Sequence, residues 1–325
     1  MTKYVYVLVS DENDIYYEQT LVSITSLRMH MPNAWIALVV DDKTSNLLVE
    51  KRAKIKNLVS ELKVLPLDNA LSGMYRSREL KTNVRNLVDG DFLYIDGDTV
   101  ITHPLPSMDV MDCEIGGVLD RHFLASEHPC NKDFYHKAKL LGFSPFQNDK
   151  YFNGGVLYVK DTHNTRIFFS RWNDLWHYST TKKVFIDQPA LAQTDCEFGY
   201  IIQELPGEWN CQAENGVNYL KNAHIMHFFS SNDGLRPHPF MNIGIFREIK
   251  SMGSIPENTL DMIKNVQTSF FSQAQIYFHE PFYSTNTFDF FCRLYKKKRV
   301  IFQCFDCCVR WYYKFTQSLK RLLRR

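Results

Sequence analysis

The sequence predicts an α/β fold, a Rossmann-like sheet flanked by helices, and three stretches carry that expectation. Residues 3–67 run strand, helix, strand, helix, strand, the signature of a βαβ sheet. Residues 92–104, FLYIDGDTVITHP, open on an apolar, β-favouring run and drop at once into Asp96-Gly97-Asp98, as a buried strand does at its carboxyl end. Residues 151–159, YFNGGVLYV, form another apolar run, interrupted by Asn153-Gly154-Gly155.

The elements follow in order. Residues 3–10 are a strand with almost no polar interruption, closed by Asp11-Glu12-Asn13-Asp14. Residues 17–29 place Leu21, Ile24, Leu27 and Met29 close to helical spacing until Pro32-Asn33 breaks it. A strand over 35–40 ends in Asp41-Asp42, a helix over 45–56 takes Thr44 or Ser45 as its N-cap, and 62–67 is a short strand. The acidic ends of the first two strands would repel a bare pyrophosphate and suit a nucleoside or a metal. No Gly-x-Gly-x-x-Gly follows the first strand and there is no Walker loop, which argues against a dinucleotide dehydrogenase or a P-loop enzyme.

A helix over 77–88 bears Arg78, Lys81 and Arg85, with Arg76 just before it. Arg78 and Lys81 are three apart and share a face, which either reaches a ligand or meets solvent. Residues 115–119 are a further strand, and 120–150 are a polar loop with a short helix, the kind that lines an acceptor site. A helix over 165–178 repeats Phe168, Trp172 and Trp176 at four-residue spacing, a core stripe. Asp187-Gln188 precedes a helix whose first residue is Pro189, so Asp187 also suits an N-cap. Residues 205–210, LPGEWN, are a turn, and 223–229 form a strand-like run with His224 and His227.

Chemistry concentrates at Asp96-Gly97-Asp98. In open α/β sheets ligands sit outside the carboxyl ends of strands. Carboxylates at i and i+2 point to one side of an extended chain. They repel unless one takes a proton or a hard cation joins them, and oxygen ligands suit Mg²⁺ or Mn²⁺. The bland reading is a polar turn after a strand. His227 makes sense as a third ligand. The paired glycines at 154 and 155 mark a bulge or a close backbone approach to a ligand, beside the donor and acceptor of Asn153.

The chain has 325 residues, 45% hydrophobic and 23% charged, enough for one large domain or two. From residue 293 onward it holds 11 Lys and Arg against one acidic residue, which leaves the remainder with 27 basic and 35 acidic residues. A basic tail on an acidic body implies an anionic partner for the tail alone. Phe305, Cys308, Val309, Tyr312, Phe315, Leu319, Leu322 and Leu323 recur at three and four residues, with Arg310, Lys314, Arg321 and Arg324 opposite. That is an amphipathic helix for an anionic membrane surface, too polar to span it. The eight cysteines show no disulfide framework and fit a reduced, cytoplasmic setting, and neither a signal peptide nor a transmembrane run is visible.

Six separated segments, in one order, resemble the family 8 retaining glycosyltransferases: VLVSDEN, FLYIDGDTVI, YFNGGVLYV, FIDQPAL, LPGEWN and HIMHFF, across residues 3–240. The resemblance implies a GT-A fold, with a nucleotide-binding mixed sheet, a UDP-sugar donor and Mn²⁺ or Mg²⁺. Its metal ligands would be Asp96, Asp98 and His227. Val9 and Asp11 would contact uridine, and Asn153, Asp187 and Gln188 would hold the donor sugar, with Gln188 nearest the reacting carbon. Arg78 and Lys81 stand at the family's basic positions, and Gly97, Gly154 and Gly155 complete the donor site. After His227 the match breaks, and Arg236-Pro237 stands where the family has a Lys-Pro that binds the diphosphate. The resemblance implies transfer of glucose or galactose to a glycan, on a lipid-linked surface polysaccharide. A UDP-sugar hydrolase and an idle membrane-docking scaffold are the alternatives, and nucleic acid is not an expected partner. The expected division is a catalytic domain over 1–250, a helical extension over 251–292 and the tail over 293–325, at the cytoplasmic face of the membrane.

Overall fold

The computed structural model describes residues 2–228, save 69, 110 and 214, together with 241–265, 294 and 297–322. The chain divides into two units, Met1–Ile276 and Tyr277–Arg325. In the first, a seven-stranded mixed sheet is flanked by helices, as the sequence predicts. Strands β1 (Lys3–Leu8), β2 (Ile36–Asp41), β3 (Glu61–Leu65), β4 (Phe92–Ile95), β6 (Ile115–Leu119), β7 (Phe152–Val159) and β8 (Ile202–Glu204) lie in the order β3-β2-β1-β4-β7-β6-β8. β1, β2, β3 and β4 are parallel, and β7 runs antiparallel to both β4 and β6.

Alternation along each strand assigns the two faces. Tyr4, Tyr6, Leu8, Leu38, Ile95 and Tyr158 enter one core, shared with Leu21, Ile24 and Leu27 of α1 (Tyr16–His30). Val5, Val39, Phe92, Tyr94, Leu157 and Val159 enter the other. There the predicted stripe Phe168, Trp172 and Trp176 of α6 (His163–Thr181) is buried. The sheet is thus covered on both sides, which explains the unbroken apolar runs of its strands.

A second sheet completes the site end. β5 (Thr99–Ile101), β10 (Ile225–His227) and β9 (Cys211–Gln212) lie in the order β5-β10-β9, with His227 opposite Thr99 and beside Gln212. The predicted helix over 45–56 is instead two pieces, α2 (Asp42–Leu47) and a 3₁₀ turn at Glu50–Leu58. Leu48 turns into the core and Glu50 takes a left-handed φ of 47°, which a continuous helix of L-residues does not allow. The cap of α2 is Asp41, whose carboxylate accepts from the Thr44 N–H at 2.9 Å, rather than Thr44 or Ser45.

Helix α3 (Gly73–Thr82) is capped by Ser72, and α4 (Val84–Leu87) continues it after a break. α5 (Asn131–Leu141) is the short helix expected within the 120–150 loop, and α7 (Gln188–Glu197) starts with Pro189 in its first turn. α8 (Ile243–Met252) and α9 (Glu257–Lys264) add Phe246, Ile249 and Ile263 to the α1 core. The second unit contains α10 (Arg299–Leu322), on which Phe305, Val309, Trp311, Tyr312 and Phe315 are exposed. Among the described residues no helix is long and apolar enough to cross a membrane.

Candidate active site

The ends of β4 and β10 bring together three side chains that could hold a metal ion. Asp96 follows β4 directly, and its N–H donates to the Gly155 carbonyl of β7 at 2.7 Å. The Thr99 hydroxyl donates to the Asp96 carbonyl at 2.8 Å and closes the turn that carries Asp98. The Phe228 N–H donates to the Asp98 carbonyl at 2.9 Å, which ties that turn to the strand of His227. As a result, one ligand atom each from Asp96, Asp98 and His227 lies within 4.8 Å of the others. His227 Nε2 is 3.1 Å from Asp98 Oδ1.

Electrostatics at this cluster are set by burial and by close partners. Burial pushes the Asp96 carboxyl up, but Lys81 and His227 overrule it, so it stays below the usual carboxylate range. Lys81 Nζ lies 3.1 and 3.0 Å from the two Asp96 oxygens, and the Tyr94 hydroxyl donates to the same group. Burial pushes His227 down, yet the neighbouring Asp98 and Asp96 raise it above the ordinary imidazole value. Two carboxylates and one imidazole form a donor set suited to Mn²⁺ or Mg²⁺. The Gly155 backbone closes against this cluster. A Cβ on Gly155 would sit 2.4 Å from His227 Cε1 and 2.8 Å from Asp96 Oδ2.

A cleft of about 410 Å³ opens beside this cluster, lined by Val9, Asp11, Arg78, Asp96, Gly97 and Asp98 among others. The Val9 side chain belongs to the core. Asp11 organises its own loop, its carboxylate accepting from the N–H groups of Asn13 and Asp14 at 2.8 and 3.0 Å. At the acidic end of β2, which the sequence suggests for a ligand, Asp41 is already occupied. Asp41 is fully buried, paired with Arg76, and occupied in capping α2.

Asp187 stands at the N-cap position of α7 but makes no capping bond. Its carboxylate turns instead to α3, with Arg78 Nε at 2.9 Å and Lys81 Nζ at 3.7 Å. Arg78 and Lys81 therefore share a face turned to Asp187, and Lys81 links Asp187 to Asp96. Gly154 lies against this pair, with Asp187 Oδ2 and Lys81 Cε each 3.7 Å from where its Cβ would be. The Gln188 amide donates to the Phe152 carbonyl at 3.4 Å. Asn153 is 4% exposed, and its side chain is engaged by Asp120, Asn210 and the Gly155 N–H. Arg236 lies outside the described residues.

Sequence reasoning missed four groups here: Tyr94, Asp120, His128 and Asn210. Asp120 accepts from Asn153 Nδ2 at 2.7 Å and lies 2.9 Å from His128 Nε2. Asn210 Oδ1 lies 3.0 Å from His227 Nδ1. The only signal for Asn210 was its place at the end of the LPGEWN segment, where it read as part of a turn.

No family model and no curated protein sequence matches the chain. Among solved structures the chain is similar to the galactosyltransferase LgtC bound to donor and acceptor sugar analogues, at 17% identity over 80% of this chain and 99% of that one, with a TM-score of 0.49. It is also similar to mouse xyloside xylosyltransferase 1, at 12% identity over 70% of this chain and 98% of that one, TM-score 0.46. The glycosyltransferase GlyE of Streptococcus pneumoniae TIGR4 is similar at 17% identity over 88% of this chain and 66% of that one, TM-score 0.48.

Proposed function

We propose that this chain is a metal-dependent, retaining glycosyltransferase with a GT-A catalytic domain over 1–250, which moves glucose or galactose from a UDP-sugar to a glycan. One observation carries the reading: Asp96, Asp98 and His227 converge at the carboxyl end of a central strand, beside a cleft that also exposes Arg78 and the Asp11 loop. A cation held by these three would neutralise the diphosphate and the charge that grows on it as UDP departs.

The remaining roles belong to the chain. The Asp11 loop and the end of β1 form the wall that would seat the nucleoside. Lys81 and Tyr94 hold Asp96 in one orientation, so the cation site is built before the donor arrives. Arg78 and Lys81 flank Asp187 and set its carboxylate beside the donor sugar. At Gln188 an amide stands where a double-displacement glycosidase has a nucleophilic carboxylate, and an amide is a poor nucleophile. The acceptor hydroxyl then attacks from the side that UDP leaves, forming the new C–O bond as the old one breaks. Its proton passes to the departing phosphate oxygen, and the linkage keeps its α configuration. The 120–150 segment would form the acceptor wall.

The tail supplies the location. The exposed Phe305, Val309, Tyr312 and Phe315 of α10, with the Lys296-Lys297-Lys298-Arg299 cluster, suit peripheral attachment to an anionic cytoplasmic leaflet. A lipid-linked glycan acceptor would meet a cytosolic UDP-sugar at that surface.

The test is UDP release from UDP-glucose and UDP-galactose with Mn²⁺, with and without a lipid-linked glycan. The transferase gives acceptor-dependent release that Asp98→Ala abolishes while the circular dichroism melt stays in place. Acceptor-independent release identifies a hydrolase, and no release from either donor identifies a non-catalytic scaffold.

A further inference from the structure

We infer that Asn210 is the positioning residue of the cation site. Its amide oxygen fixes the proton on Nδ1 of His227 and so presents Nε2, unprotonated, to the cation. The inference rests on the metal reading above.

The orientation of Asn210 is dictated by groups that have no choice. A backbone N–H can only donate, and that of Gly155 lies 2.9 Å from Oδ1 of Asn153. An ionised carboxylate can only accept, and Asp120 Oδ1 lies 2.7 Å from Nδ2 of Asn153. These two contacts set which end of the Asn153 amide is oxygen. Asn210 meets that same oxygen at 2.9 Å, so it must do so with Nδ2. Its own Oδ1 is then turned towards Nδ1 of His227, 3.0 Å away. An acceptor at that place requires the ring proton on Nδ1, which leaves Nε2 facing Asp98 at 3.1 Å.

The far end of the chain is pinned in the same manner. Asp120 Oδ2 lies 2.9 Å from Nε2 of His128, whose Nδ1 accepts from the Cys130 N–H at 2.9 Å. The relay from His227 to His128 is therefore fixed by main-chain N–H groups at two points, Gly155 on Asn153 and Cys130 on His128. Asn210 has no exposed surface and Asn153 only 4%, so water cannot substitute for a lost partner. Groups that orient a metal-bound imidazole in this way typically change metal affinity 10–100-fold when removed.

Two measurements test this. The first needs no change at Asn210: protein with ¹⁵N-labelled histidine is loaded with Mg²⁺, which is diamagnetic, and long-range ¹H–¹⁵N spectra are recorded. His227→Gln identifies the His227 signal by its loss. The expected spectrum shows a proton on Nδ1 and none on Nε2, and a proton on Nε2 overturns the inference. The second is Mn²⁺ affinity without donor, read as free Mn²⁺ by electron paramagnetic resonance. Asn210→Ala should weaken binding about 10–100-fold. Asn210→Asp keeps an acceptor for Nδ1–H but sets a second acceptor against Asn153 Oδ1, so it should bind Mn²⁺ more tightly than Asn210→Ala and less tightly than wild type. An alanine variant that binds like wild type refutes the role of Asn210 and leaves the metal reading intact. Wild-type protein that binds no Mn²⁺ refutes both. If the alanine variant does not fold, the tautomer spectrum decides.

Discussion

Arg78 Nε lies 2.9 Å from Oδ1 of Asp187, and Lys81 stands 3.7 Å from the other carboxylate oxygen. The carboxylate next to Gln188 is therefore matched by two cations carried one helical turn apart on α3. Such pairing holds Asp187 in place, and it draws electron density away from a would-be nucleophile. With UDP-sugar and no acceptor, intact-mass spectrometry should show no hexose adduct. Asp187→Asn should raise the donor KM at least about tenfold, the scale of one lost charge-assisted hydrogen bond of ~1.5 kcal/mol or more. A hexose found on the peptide containing Asp187 would reverse the mechanism to double displacement. A β-linked product by proton NMR would reject retention altogether.

The two neighbouring glycines should behave oppositely. A methyl on Gly155 would meet His227 Cε1 at 2.4 Å, Asp96 Oδ2 at 2.8 Å and Asn153 Oδ1 at 2.9 Å. Gly155→Ala should therefore abolish Mn²⁺ binding. The nearest atoms to a Gly154 methyl are at 3.7 Å, ordinary contact, and Gly154→Ala should bind Mn²⁺ within about threefold of wild type, a difference under ~1 kcal/mol. Titrating both variants with Mn²⁺ checks the contrast, and equal behaviour would remove the close-approach explanation of the pair.

Buried Asp195 and half-buried His122 give the stability profile opposing slopes. Burial raises Asp195 from 3.8 to about 6, against the hydrogen bond from the Ile202 N–H at 2.9 Å. The unfolded chain loses that proton first, so ionisation destabilises the fold as pH climbs from 3.8 to about 6 and the penalty persists above. Burial lowers His122 from 6.5 to about 4, so the unfolded chain gains a proton first and stability declines as pH falls through that window. Asp195→Asn keeps an acceptor for Ile202 and should stabilise the protein at pH 7 by about 1–3 kcal/mol, read by urea denaturation. The gain should vanish near pH 4, and the variant should keep the His122 slope between 6.5 and about 4. No gain at neutral pH would show that Asp195 is solvated in the fold.

The tail should act as an anchor. Full-length protein should float with anionic vesicles at low salt, and a chain ending at Phe291 should not. Raising the salt should release the full chain, since each basic residue near such a surface contributes about 1 kcal/mol and the attraction is screened within a Debye length. Equal flotation of both chains would place the membrane contact elsewhere.

What was legible in the sequence follows from what burial does to composition. β1, β2, β4 and β7 have core on both faces, so their apolar runs stood out, as did the Phe168, Trp172, Trp176 stripe. The direction of β7 did not, because a strand buried on both sides reads the same whichever way it runs. The break near Glu50 was hidden because a single left-handed residue, neither Gly nor Asn, leaves no compositional mark. At the site, Asp96, Asp98 and His227 could be picked out by residue type. Asp41 looked equally available and is spent on Arg76 and a helix cap, a difference only tertiary neighbours reveal. Asn210 and Asp120 were invisible as a pair because they meet only through Asn153.

Leu119 of β6 and Phe152 of β7 are paired in register, and the whole of residues 120–151 departs from and returns to that one rung. Lengthening such an excursion costs only about 0.6 kcal/mol per doubling in closure entropy. The segment is therefore a replaceable cassette. On the proposed reading, rewriting it would change the acceptor wall, provided Asp120 keeps its grip on Asn153, and would leave the strands beside Asp96, Asp98 and His227 untouched. A change of acceptor without a rebuilt donor side would then be a property of that single rung.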